Sequence, residues 1–589
     1  MSLSIFIRTD SSQKIGSGHV MRCLALSEEL RDAGAVVEFV THNHQGNINK
    51  QIKNKGFNVN LLSNQIKLKL SHKLTEYEQY LGITQEVDAD KTIQILKSKK
   101  VDLLIIDHYA LDIKWEERIR PYTRKVMVID DLANRNHNCD LLLDQNYIYD
   151  KTRYNNILKS RTIKLLGPRY ALLRRNFEEN KKRHNINFNN IRRVFVFFGG
   201  ADLDNLTNVT LQALSQPKLK HLVADVVVGS SYPYKDMLKI EIDKHPNATL
   251  YTQIDNIAEL MVKSDIAIGA GGTTTWERLA LGVPSIVVTV ADNQVVFTKY
   301  LDRDGYLKWL GKSNQIDKRI IYNAILKAIN NSDQLRIQAE KGQELVDGLG
   351  VKRTVNLLLK LNRNSTYKER KDLFFITILS DRKIWMDSWI DKLLEDWLLD
   401  GHQVNWVNKD SEVSEGDFCF ILSYEKIIKP NILKLNKHNL VVHASNLPEG
   451  KGMSPLSWQI LEGKNNIKVT LFEAKAALDA GDIYLQKGIV YKGHELLDGL
   501  RSALAKTIIK LCNQFVIEYP KILHNACKQS GKESFYIRRK PEDSRIDVDK
   551  SLSEQFQLLR IVDNNEYPAF FELNDHKYIL KIEKYDKDQ

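Results

Sequence analysis

Four stretches of the chain carry reactive side chains on or beside glycine-bearing turns. The first runs Arg8-Thr9-Asp10-Ser11-Ser12, then Ile15-Gly16-Ser17-Gly18-His19-Val20-Met21-Arg22. A Gly-x-Gly turn after a strand leaves backbone N–H groups free above the sheet, and His19 falls in the first turn of the helix that follows. A neutral imidazole, with an ordinary pKa of about 6.5, can take a proton from water; blandly, His19 caps the helix or packs on Arg22. The second stretch is Phe197-Phe198-Gly199-Gly200-Ala201-Asp202, and the third is Gly269-Ala270-Gly271-Gly272-Thr273-Thr274-Thr275-Trp276-Glu277. Each is a strand end running into a helix, whose amides and positive end suit a diphosphate. Glu277, about one turn further, suits ribose hydroxyls. Any one of these reads as a helix cap; two together, opposite the His19 loop, favour a nucleotide-sugar cleft. The fourth stretch delivers His443 at the end of an apolar run, wraps it in Leu447-Pro448-Glu449-Gly450-Lys451-Gly452 and restarts as a helix at Pro455. Downstream, Leu478-Asp479-Ala480-Gly481-Asp482 sets a carboxylate at a turn.

These residues need sheets to carry them. Short Val/Ile/Phe runs at 4–8, 37–40, 102–107 and 126–130 alternate with helix-length segments. The pattern repeats at 193–198, 222–228, 266–268 and 285–290, which predicts parallel sheets covered on both faces. We expect two facing lobes, 1–190 and 191–362, the second holding the nucleotide. Asn/Ser-rich punctuation over 362–367 marks a linker at 363–372, with the main boundary near 365. Strands at 373–379, 418–422 and 440–443 then open a third α/β unit, 373–530, followed by a small turn-rich subdomain, 531–589.

The 589 residues carry a net charge of +12, and 43% are hydrophobic. That length needs several cores. The five cysteines are dispersed without Cys-x-x-Cys spacing, against a disulfide framework or a structural zinc site. Apart from Tyr367-Lys368-Glu369-Arg370-Lys371, the basic residues are spread along amphipathic stretches. A solvated surface therefore explains the charge better than nucleic acid does. About 18 unbroken apolar residues occur nowhere, and the first eight read as a strand and not a leader. We expect a cytoplasmic protein with no membrane partner and no metal; its oligomeric state stays open.

Residues 1–360 resemble the two-lobed nucleotide-sugar enzymes of the GT-B type. More narrowly they resemble the UDP-2,4-diacetamido-2,4,6-trideoxy-β-L-altropyranose hydrolases of pseudaminic acid synthesis. Carrying the likeness are the 8–22 stretch, Ile106-Asp107-His108-Tyr109, Asp130-Asp131-Leu132-Ala133, Leu165-Leu166-Gly167-Pro168 and Ala291-Asp292-Asn293-Gln294. The resemblance implies His19 as the general base. It implies Arg8, Asp10, Gly18, Tyr109, Gly199, Gly200, Gly271, Gly272, Thr273, Glu277 and Asn293 around the substrate.

Residues 373–580 resemble formyltransferases that use 10-formyltetrahydrofolate, through His443-Ala444-Ser445-Asn446-Leu447-Pro448, the Gly450/Gly452 loop and Asp479-Ala480-Gly481. That likeness implies His443 and Asp479 as catalytic groups, with Ser423, Tyr424, Leu447, Pro448 and Gly452 at the folate. One departure stands out. The family has asparagine two residues before the histidine, polarising the formyl carbonyl, and this chain has Val441. Loss of such a donor costs a rate factor on the order of a hundred. The intact remainder of the motif favours a replacement, either Asn439 on the same strand face or Asn446 from the loop.

Together the resemblances imply an α/β chain in which a GT-B-type hydrolase precedes a Rossmann-like formyltransferase. The rear part would formylate the 4-amino group of a UDP-4-amino-4,6-dideoxy-2-acetamido-L-altrose. The front part would then release UDP. Three other readings remain: a vestigial rear domain, a methionyl-tRNA-type formyltransferase, and a GT-B glycosyltransferase.

Overall fold

The computed structural model describes residues 2–62, 77–150, 152–159, 161–181, 188–254, 256–363, 372–382 and 384–585. The chain divides into two compact units, Met1–Thr366 and Tyr367–Gln589. The expected linker and the basic run at 367–371 fall almost wholly outside the described residues.

The front unit holds two parallel sheets. The first comprises β1 (Ser4–Thr9), β2 (Val36–His42), β3 (Asn58–Leu62), β4 (Leu103–Asp107), β5 (Lys125–Ile129), β6 (Leu141–Asp144) and β7 (Ile163–Leu166), in the order β3-β2-β1-β4-β5-β6-β7. Its central strands are mainly apolar and buried because helices cover both faces; all five residues of β4 are buried. The second sheet comprises β8 (Arg193–Phe197), β9 (Val223–Val228), β10 (Ala248–Thr252), β11 (Ile266–Ala270), β12 (Ser285–Thr289) and β13 (Lys308–Lys312), ordered β10-β9-β8-β11-β12-β13. Both orders reverse direction beside the first strand, the point where open α/β sheets gather ligands. The helix Gly350–Arg363 closes the unit by packing back on the helix Gly18–Asp32. A Cβ on Gly350 would sit 2.4 Å from the Ala171 carbonyl oxygen, so this junction requires glycine.

The rear unit holds a mixed sheet built from β14 (Phe375–Leu379), β15 (Gln403–Val407), β16 (Gly416–Ile421), β17 (Asn436–His443), β19 (Asn466–Glu473) and β20 (Ile483–Val490). Strands β15-β14-β16-β17 run parallel, and β19 and β20 continue antiparallel. Outside this sheet, β18 (Lys451–Gly452) pairs with β21 (Phe535–Tyr536), and the hairpin β22 (Ala569–Leu573) and β23 (His576–Leu580) ends the fold. The helix expected at Pro455 spans Pro455–Leu461.

Candidate functional sites

In the front unit β1 and β4 are neighbours in register, Thr9 beside Asp107, so the loops after them converge. His19, in the first turn of the helix Gly18–Asp32, points its Nδ1 at Asp107 Oδ1, 2.5 Å away. Arg22, one turn on, donates from Nε to Asp107 Oδ2 and from Nη2 to Oδ1, both at 2.7 Å. Arg22 Nη1 also reaches Asp131 at 3.2 Å. Tyr109 stands edge-on to the His19 ring at 4.6 Å, and burial pushes its phenol pKa well up. Asp107 and Arg22 were not among the expected site residues. Their signals were a carboxylate at a strand end and a basic residue three positions after the histidine.

The second sheet supplies the opposite wall. Asn293 donates to the Tyr109 hydroxyl at 3.0 Å. A Cβ on Gly18 would lie 3.6 Å from Thr273, and one on Gly200 would lie 3.8 Å from Ser17 Oγ. Thr273 is the N-cap of the helix Thr274–Leu281 and makes no side-chain cap bond. Glu277 accepts from Arg174 at 3.2 Å. Between these groups lies a cavity of about 20 Å³, lined in part by Arg22, Arg174, Thr273, Trp276 and Glu277. That is room for one water.

Several expectations need correction. Arg8 and Asp10 are wholly buried and face one another, not the cavity. Arg8 also pairs with Asp88 at 2.6 Å, and Asp10 accepts the His42 backbone N–H at 2.7 Å, so both brace the loop from beneath. The helix after Gly199 and Gly200 does not offer its first amides, because Asp202 accepts those of Leu206 and Thr207. Gly271 offers no free amide, because its N–H donates to the Val288 carbonyl at 3.1 Å.

Asp10, His42 and His44 bring ligand-type atoms within 4.8 Å of one another. A cation is already there. Arg8 Nη2 lies 2.8 Å from Asp10 Oδ2 and 3.0 Å from His42 Nδ1, so these donors do not fit a metal ion without expelling a buried guanidinium.

In the rear unit His443 ends β17 and is 8% exposed. Its Nε2 donates to the Gly450 carbonyl at 2.8 Å; a carbonyl only accepts, so Nε2 carries the proton. Nδ1 then faces Asp479 Oδ2 at 3.8 Å, beyond hydrogen-bond length. Gly450 therefore holds the ring, and Asp479 makes no hydrogen bond to it. Asp479 has a left-handed backbone, φ 45°, and accepts the Gly452 N–H at 2.8 Å. A Cβ on Gly452 would lie 2.3 Å from the Tyr536 carbonyl oxygen, so strand β21 closes directly over this loop.

Val441 packs against apolar neighbours of β16 and β19. Asn439 is no substitute donor: its side chain donates to the Leu433 carbonyl at 2.8 Å, at the far end of the strand. Asn446 is exposed and accepts from Gln486 at 3.4 Å. Among the folate residues, Leu447 instead packs with Phe472 and Ile483. Pro448 accepts from the Ser534 N–H, Ser423 is exposed at φ 51°, and Tyr424 Oη accepts the Asp410 N–H. Ser445 Oγ is buried without a partner, and its Cβ lies 3.1 Å from the position a Cβ on Gly450 would take. That hydroxyl is a polar group without a protein partner beside the histidine loop, which is compatible with a bound folate.

Comparison with known proteins matches residues 193–349 to the Glycosyltransferase family 28 C-terminal domain and residues 404–508 to Formyl transferase. The front half is similar to the UDP-2,4-diacetamido-2,4,6-trideoxy-beta-L-altropyranose hydrolase of Campylobacter jejuni, 28% identical over 52% of this chain and 98% of that protein. It is also 29% identical, over 53% of this chain, to an uncharacterized protein of Methanocaldococcus jannaschii, of which it spans 60%. The rear half is similar to the methionyl-tRNA formyltransferase of Thermodesulfovibrio yellowstonii, 28% identical over 28% of this chain and 54% of that protein. The expectations of an α/β fold and of a hydrolase-like half fused to a formyltransferase-like half are borne out. Among the described residues no helix is long and apolar enough to cross a membrane.

Proposed function

We propose that the chain is a bifunctional enzyme acting on a UDP-linked 4-amino-4,6-dideoxy sugar, in cytoplasmic synthesis of a pseudaminic acid-type sugar. The rear unit formylates the 4-amino group, and the front unit cleaves the anomeric bond to release UDP. The observation that carries the reading is the buried His19–Asp107–Arg22 cluster facing Tyr109 and Asn293, in the half similar to a UDP-sugar hydrolase.

In the front unit His19 takes a proton from water as its oxygen bonds the anomeric carbon. The carbon–oxygen bond to the diphosphate breaks, and its electron pair leaves with UDP. Amides at Gly18 and Thr273 would stabilise the departing charge.

In the rear unit 10-formyltetrahydrofolate, when bound, supplies the formyl carbon. His443 Nδ1, the bare nitrogen, takes the proton of the attacking amine, and Asp479 offsets the imidazolium charge from 3.8 Å. Ser423, Tyr424, Pro448 and the Ser445 hydroxyl would hold the folate.

Incubating the full chain with a UDP-4-amino sugar and 10-formyltetrahydrofolate tests both steps by mass spectrometry. The expected product is a free sugar heavier by one formyl group, together with UDP. An unmodified sugar still bound to UDP overturns the reading.

A further inference from the structure

The hydrolysis described above leaves Asp107 without a part, although it is wholly buried at the site and held on both oxygens. Resting on the hydrolase reading, we propose that Asp107 is a positioning residue that sets the tautomer of His19, leaving Nε2 as the proton-accepting atom. A carboxylate oxygen only accepts, so the 2.5 Å contact with Oδ1, closer than the 3.2 Å between Arg22 Nη2 and the same nitrogen, puts the His19 proton on Nδ1. Arg22 makes the carboxylate rigid. Its planar fork spans both oxygens, and Cys23 Sγ adds a third donor at 3.5 Å.

The charged and titratable groups facing His19 are Asp107 and His108 from β4 and the loop after it, Tyr109 from the same loop, and Arg22 from its own helix. Burial alone would raise the Asp107 carboxyl; the Arg22 and His19 charges outweigh it and hold the group well below the usual carboxylate range. Burial lowers His108 to about 3, so that ring stays neutral. When Nε2 takes the water proton, the new imidazolium stands against a full negative charge. The proton then passes from Nε2 to solvent, and the starting tautomer returns.

Asp107→Asn is the test, read in the full chain by UDP release. An amide can present its N–H to Nδ1, which moves the ring proton to Nε2 and blocks the base. The expected result is a kcat loss on the order of 10³, with KM and calorimetric UDP affinity unchanged. Asp107→Glu should recover part of the loss. Arg22→Lys, which keeps the charge and gives up the fork, should lose about tenfold in kcat and covers the case of an unfolded Asn variant. Parent-like kcat in both Asp107→Asn and Arg22→Lys, or a loss carried wholly by KM, overturns the proposal. His19→Ala releasing UDP at the parent rate would instead bring down the hydrolase reading, whatever Asp107 does.

Discussion

His19 and His443 are equally buried, each 8% exposed at the carboxyl edge of parallel strands, yet they are held in opposite senses. The front ring gives its Nδ1 proton to a carboxylate that an arginine has locked in place. The rear ring gives its Nε2 proton to the Gly450 carbonyl and turns Nδ1 toward an aspartate 3.8 Å away. In one unit the acid is bonded directly to the ring. In the other it is tied to the Gly452 N–H, close to the ring but not bonded to it. The same residue type thus leaves a different nitrogen bare in each unit, and the neighbouring acceptor decides which.

Single substitutions can break this contrast. His19→Ala should cut UDP release by about 10²–10⁴ and leave formyl transfer intact; loss of both would mean the two sites are not separate. Asp479→Asn should slow formyl transfer by about 10² with UDP release unchanged, as read in parallel assays. Placing the family's asparagine at Val441 should destabilise the rear unit by about 1–3 kcal/mol, because its amide would face apolar neighbours. We expect a lower melting temperature and no gain in formyl transfer. A gain would show that the missing donor limits this site.

Acid should separate the units as well. In the front unit burial raises Asp10, Asp88 and Asp107, but Arg8 and Arg22 more than offset it, and all three fall below their usual pKa. The stability they add is present above the unfolded value of about 3.9 and is lost as pH falls toward the folded values. The front unit's unfolding transition should therefore drop more steeply below about pH 4 in calorimetry. The smallest effect is expected from Asn293→Ala. Losing one hydrogen bond to Tyr109 should lower kcat/KM for UDP release by about two- to tenfold.

Most central strands were legible in the sequence because burial on both faces writes a continuous apolar run, but β6, central and wholly buried, is only four residues long and went unread. Strands β3, β10, β13 and β15 lie at sheet edges, where one side meets solvent and residues such as Asn58, Thr249, Lys308 and Asn405 break the run. His19 was legible from the glycines beside it. Its partner Asp107 stands 88 positions away, and only the β1–β4 register brings the two together. Val441 was visible as a departure, but its reason, a side chain turned into apolar contacts, needed the fold. Asn439 failed as a substitute because sharing a strand face does not mean sharing an end of it.

Strand β21 lies over the glycines that flank His443, although 84 residues separate Gly450 from Ser534, which binds it. A fragment cut to residues 404–508, the span matching Formyl transferase, would keep the histidine and the aspartate but lose the strap over their loop. The smallest piece of this unit worth expressing alone therefore runs past Tyr536, and a deletion series from the carboxyl end should lose activity abruptly there, not by degrees.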